Sequence, residues 1–168
     1  MQAHTKKLTK GFTIIEIIIV LAIAGLILAI VFLAVPALQR NSRNQAIRSD
    51  AAAVLAGVND YVANNNGALP AAQAVQTGPP ICIGGALSAG NCPSTTTEAR
   101  VRGGTQVTIF TGGCGVAASS APSGLGQIYI RTGCKCSGND SQVAARAVAA
   151  QHLVEATSGA NTAQCTES

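Results

Sequence analysis

From residue 17 to residue 35 the chain carries no charged side chain and only one glycine, Gly25. A helix in the core of a soluble protein shows a polar face at 3.6-residue spacing, and this run shows none. At about 20 residues it is also long enough to cross a bilayer. The pattern therefore predicts a helix that meets lipid or other helices like itself. One carboxylate, Glu16, stands at its start, four positions after Phe12. A charge in such a segment costs on the order of 3 kcal/mol, so it marks a place where a specific partner compensates it.

Past the apolar run the period of the pattern stays helical while its character changes. Ile47, Ala51, Val54, Leu55, Val58, Tyr61 and Val62 form a stripe with a polar opposite face. Asn64, Asn65, Asn66 and Gly67, followed by Pro70, then stop it. One helix over residues 12–64 would be about 80 Å long, of which only about 30 Å fits in hydrocarbon. Its outer half must pack its stripe on a folded domain. Pro36 removes a backbone bond and predicts a kink, while Gly25 permits close approach of a second helix.

The remainder reads as β structure and loops. Residues 71–105 are rich in Gly, Pro, Ala and Ser and read as a long loop. Alternation over 106–110 and 127–131 predicts two half-buried strands. Residues 146–156 predict a third, with Val148, Ala150, His152 and Val154 on one face. Segments 112–126 and 158–168 read as loops. The expected architecture is α+β: a long N-terminal helix packed on a small antiparallel sheet, a three-stranded meander, with disulfide-bonded loops. The expected partition is a leader (1–11), a membrane and assembly helix (12–38), its amphipathic half (39–67) and a β domain (68–168).

Composition narrows the picture. The 168 residues include no Trp and only 3% aromatics, so the core outside the apolar run is thin. The net charge of +4 misleads about partners. Lys6, Lys7 and Lys10 precede Gly11, and without these three the balance falls from +4 to +1 before the termini. That is no basic patch of the kind nucleic-acid binding uses. Gathering of Arg100, Arg102, Arg131 and Lys135 on one β face is the arrangement a phosphate-binding module would need.

Six cysteines, Cys82, Cys92, Cys114, Cys134, Cys136 and Cys165, all follow the apolar run. An even count in an exported domain reads as disulfides, with 15 possible connectivities. Cys134 and Cys136 are too close to pair with each other. Loop length favours Cys82 with Cys92, leaving Cys114 to take one of Cys134 or Cys136 and Cys165 the other. A zinc site would show two close cysteine pairs, whereas here there is one, and no metal or other cofactor is expected.

Catalytic patterns are missing. The chain contains no phosphate-binding G-x-x-x-x-G-K-[ST] loop, no G-x-G-x-x-G turn after a strand and no Ser–His–Asp arrangement around His152. His4 reads as a solvated leader residue and His152 as a surface or edge residue of its strand. The chain is not expected to be an enzyme.

The sequence Lys10-Gly11-Phe12-Thr13-Ile14-Ile15-Glu16, followed by its apolar run, resembles the start of type IV pilins and pseudopilins. An ordinary secretory signal would have an apolar region of about 7–15 residues without a carboxylate. The resemblance covers residues 6–67 closely and the rest only in architecture. It implies cleavage after Gly11 by a prepilin peptidase and methylation of the new N-terminus at Phe12. It further implies that Glu16 neutralises the N-terminal amine of a neighbouring subunit. The implied partners are sister subunits, the peptidase, a platform protein and a cytoplasmic ATPase. The implied localisation is the cytoplasmic membrane as a single-pass precursor, then a surface pilus. A pseudopilin of a secretion or DNA-uptake system, or a minor or tip adhesin pilin, shares the same N-terminal features.

Overall fold

A computed structural model of the protein describes residues 11–85, 91–114 and 121–168. Most of the expected leader, residues 1–10 with His4 and the three lysines, lies outside the described residues. The chain divides into two compact units, Met1–Gln39 and Arg40–Ser168. The element that runs from one into the other is a single helix, α1 (Ile14–Asn64, 51 residues), with Pro36 inside it. Asn66 and Gly67 follow it with positive φ (55° and 82°), and the Gly67 N–H returns to the Val62 carbonyl. A left-handed residue just past the last turn, capping its free carbonyls, is how helices commonly end.

In the Met1–Gln39 unit the apolar side chains are exposed all round the helix; Phe12, Phe32 and Leu33 are 84%, 76% and 83% exposed. In the Arg40–Ser168 unit the stripe turns inward. Ile47, Ala51, Val54, Leu55 and Val58 are buried, with Tyr61 and Val62 packed at the margin of the same core.

Seven strands follow α1. They are β1 (Gln73–Thr77), β2 (Ile81–Ile83), β3 (Thr97–Ala99), β4 (Gln106–Thr111), β5 (Gln127–Ser137), β6 (Asp140–Glu155) and β7 (Asn161–Glu167). The main sheet has the order β1-β4-β5-β6-β7, and β2 with β3 forms a separate two-stranded sheet. The α+β class and the helix-on-sheet layering stand. The three-stranded meander does not, because β4 and β5 pair in parallel, Gln106 opposite Gln127 through Thr111 opposite Thr132. Parallel neighbours need a crossover of a dozen or more residues, and the 112–126 connection is long enough to bring the chain back to the same end.

Two loop expectations are also corrected. The 71–105 segment contains β1, β2 and β3, and the tail contains β7. Neither β1, with a single buried position, nor β7, with none, has the period-2 burial that reveals a strand in sequence. β7 exists because β6 offers it an edge, with seven paired positions from Ala149–Glu167 to Glu155–Asn161. The β5–β6 hairpin turns on Gly138-Asn139 between the paired Ser137 and Asp140. Gly138 carries φ 63°, the positive angle required at the first central position of such a turn.

Two devices fasten α1 to the sheet. Asp50, buried on the stripe, accepts hydrogen bonds from Thr105 Oγ1 (2.7 Å) and Arg102 Nε (3.2 Å). At the other end Asn44 acts as a strand partner for the Glu155 backbone, accepting from its N–H at 2.8 Å and donating to its carbonyl at 2.9 Å. Arg43 grips the Glu155 carboxylate with two bonds of 2.6 and 2.7 Å. That carboxyl is held below its ordinary range chiefly by the hydrogen bond from Arg43.

Gly57 lets the small sheet lie against the helix. A Cβ there would stand 2.7 Å from Ile83 Cδ1 and 3.1 Å from Ala99 Cβ. Gly57→Val is therefore expected to overpack this contact and lower stability by about 1–3 kcal/mol, read as a reduced melting temperature of the full chain in detergent. Leu55→Ala should cost about 2–5 kcal/mol by leaving a cavity. Equal melting temperatures for these variants and the wild type would contradict the packing described.

Candidate functional site: the start of the apolar helix

Gly11, Phe12 and Thr13 precede α1 outside any helix or strand, and the helix begins at Ile14. Thr13 occupies the cap position and Glu16 the third helical position. The Thr13 N–H donates to Glu16 Oε2 at 2.8 Å and its hydroxyl donates to the same oxygen at 2.6 Å. The Glu16 N–H points back to Thr13 Oγ1 at 3.4 Å. This reciprocal pair is a capping box, which satisfies N–H groups that a helix start leaves without partners. The signal was readable as Thr13-x-x-Glu16, but the sequence reading assigned Glu16 only to contacts between subunits and missed Thr13.

The box fixes where the carboxylate sits. Oε2 is held by Thr13, so the Glu16 carboxylate stays at the helix start. A negative group there also complements the positive end of the helix dipole. Gly11 and Phe12 are exposed, and a Cβ at Gly11 would meet nothing within 4 Å. Downstream, Gly25 is similarly open, and Pro36 is accommodated within the helix.

The prokaryotic N-terminal methylation motif matches residues 6–32. The chain starts as a type IV pilin- or pseudopilin-type prepilin. The match spans the lysine-bearing leader end, Gly11, Phe12, Glu16 and most of the apolar run. In this prepilin the motif and the exposed apolar helix together mark a membrane-anchored precursor, and the motif indicates a structural protein. No curated protein and no solved structure matches the chain.

In the Arg40–Ser168 unit the six cysteines form three disulfides: Cys82–Cys92, Cys114–Cys134 and Cys136–Cys165, with Cα separations of 5.3, 5.7 and 5.7 Å. The open choice between Cys134 and Cys136 is settled by the parallel β4–β5 register. Thr111 lies beside Thr132, so the chain continuing from β4 carries Cys114 to Cys134. Cys136 reaches Cys165 because β6 bulges between Val143 and Val148 opposite Gly133, where Arg146 takes a positive φ of 66°. The Cys136 N–H also donates to Glu167 Oε2 at 2.8 Å.

The four basic residues considered for a phosphate-binding face are not presented together. Arg131 is buried, donating to Gln151 Oε1 at 2.8 Å and to the Gly113 carbonyl at 2.9 Å, with its guanidinium over the Phe110 ring. Arg102 is committed to Asp50 and Arg100 to Glu98. Lys135 is exposed on β5. Among the described residues no group of three His, Cys, Asp or Glu is placed to hold a metal ion.

Removing the cap hydroxyl tests the box. Thr13→Val should cost the first turn about 1 kcal/mol, so amide exchange at Ile15 and Glu16 in micelles should quicken about fivefold while the helix beyond Gly25 is unaffected. Unchanged exchange would contradict the geometry.

Proposed function

We propose that the protein is a structural subunit of a type IV pilus, cleaved after Gly11, N-methylated at Phe12 and polymerised through its N-terminal helix. The observation that carries this reading is the coincidence at one place of the methylation motif, the capped carboxylate of Glu16 and an apolar helix with no covered face. Cleavage after Gly11 creates an α-amine with a pKa near 8, mostly cationic at neutral pH. Buried ions are tolerated when paired. With Oε2 held by Thr13, the other oxygen of Glu16 is the acceptor offered to a neighbour's amine. An axial shift between parallel helices then sets one subunit's Phe12 amine against the next subunit's Glu16. The carboxylate both neutralises charge and fixes the register.

Assembly on this scheme moves the helix from lipid into a bundle of sister helices, so little apolar surface meets water at any stage. Gly25, with open space where a side chain would stand, provides a site for close helix approach. Pro36 provides a point at which the helix yields as it leaves the membrane. The prepilin peptidase, a platform protein and a cytoplasmic ATPase are the partners this scheme requires, and the pilus at the cell surface is its destination. A pseudopilin role in secretion or DNA uptake, or a minor or tip adhesin role, shares the same helix.

Mass spectrometry of the mature N-terminus tests the processing. The expected first residue is Phe12 bearing one added methyl group, and Gly11→Leu should leave the precursor uncut. A mature chain beginning at Ala37 or beyond would overturn the proposal. Replacing both Gly25 and Pro36 by Ala should reduce fibre number in electron micrographs; normal fibres would remove these two residues from the scheme.

A further inference from the structure

His152 was expected on a strand surface or edge, but it is wholly buried in β6, an interior strand flanked by β5 and β7. It shares its face with Val148, Ala150 and Val154, under the stripe of α1. Among the described residues neither Nδ1 nor Nε2 has a hydrogen-bond partner. A buried polar group without a partner is costly, and a buried charge without one far more so.

We propose that His152 makes the seam between the amphipathic half of α1 and the sheet acid-sensitive, so that taking up a proton there drives the two apart. The surroundings leave an imidazolium nowhere to turn. The strand neighbours of His152 are Ile128 on β5 and Gln164 on β7. From α1 the facing charge is Arg48, a cation, whose Nε donates to Gln164 Oε1 at 3.0 Å. Nearby carboxylates are committed elsewhere: Asp50 to Arg102 and Thr105, and Glu155, on the same strand, to Arg43.

Burial first, and the Arg48 cation second, push the imidazole below its ordinary pKa of 6.5. The folded protein therefore keeps His152 neutral where the unfolded chain takes up a proton. Stability is fully present above about pH 6.5 and is lost as pH falls below it, by up to tenfold in the unfolding constant per pH unit. Glu155 belongs to a separate window. Its depressed pKa gives a contribution present above about 4.5 and lost only below that, so the two effects do not overlap above about pH 5.

The test uses the full chain in detergent micelles, carrying His4→Asn so that His152 is the sole histidine. Its imidazole carbon signals are followed by NMR, and thermal unfolding is measured, between about pH 7.5 and pH 5. The expected result is an imidazole that stays neutral in the folded protein below pH 6.5, with an unfolding constant that rises up to tenfold per pH unit. In His152→Leu the rise should be absent. An imidazole titrating at its ordinary value in the folded protein, or a stability flat across the window, overturns the proposal. The NMR titration decides even if His152→Leu fails to fold.

Discussion

An apolar helix without a covered face cannot rest in water, and everything else in the chain follows from where it rests. Roughly 20 residues of such a helix fit a bilayer, and the helix-forming pattern then continues past Gln39 with a different partner. In the Arg40–Ser168 unit the same helix supplies one layer of a two-layer core. At its start stands the only acid of the apolar segment. Thr13 already takes one oxygen of that carboxylate, which ties the side chain to the first turn of the helix.

The Arg40–Ser168 unit compensates for a thin core with polar ties and covalent staples. Asp50 and Asn44 anchor α1 at two levels of the sheet, one through a buried network and one by mimicking a strand neighbour. The three disulfides close over loops and edges: one at β2, one joining the end of β4 to β5, and one joining β5 to β7. Each is of the kind that stabilises by about 2–4 kcal/mol. The β6 bulge around Arg146 allows the last of these to reach across an intervening strand.

The helical half of the fold was legible because its signals are local. The stripe from Ile47 to Val62 has a clean period, and Asn64 to Gly67 are clear stop residues. Strands β4, β5 and the inner part of β6 announced themselves by alternation. What escaped depends on neighbours distant in sequence. β2 and β3 are three residues each, and β7 is mostly polar with no buried position, so pairing rather than pattern makes them strands. The parallel β4–β5 pair was hidden in the length of a connection, and with it the choice of partner for Cys134. His152 misled because an isolated histidine looks superficial until β7 is placed outside it. At the N-terminus the carboxylate was legible and its capping partner was overlooked, although Thr13-x-x-Glu16 was in plain view.

The central claim is that Glu16 is tolerated among apolar helices because a neighbouring subunit's cationic chain end compensates it. The most direct measurement is the yield of fibres from cells producing the Glu16→Gln chain in place of the wild type, with processing and membrane insertion checked in the same cells. The expected result is a processed, membrane-held subunit and a loss of fibres. Wild-type fibre yield from the Glu16→Gln chain would contradict the claim.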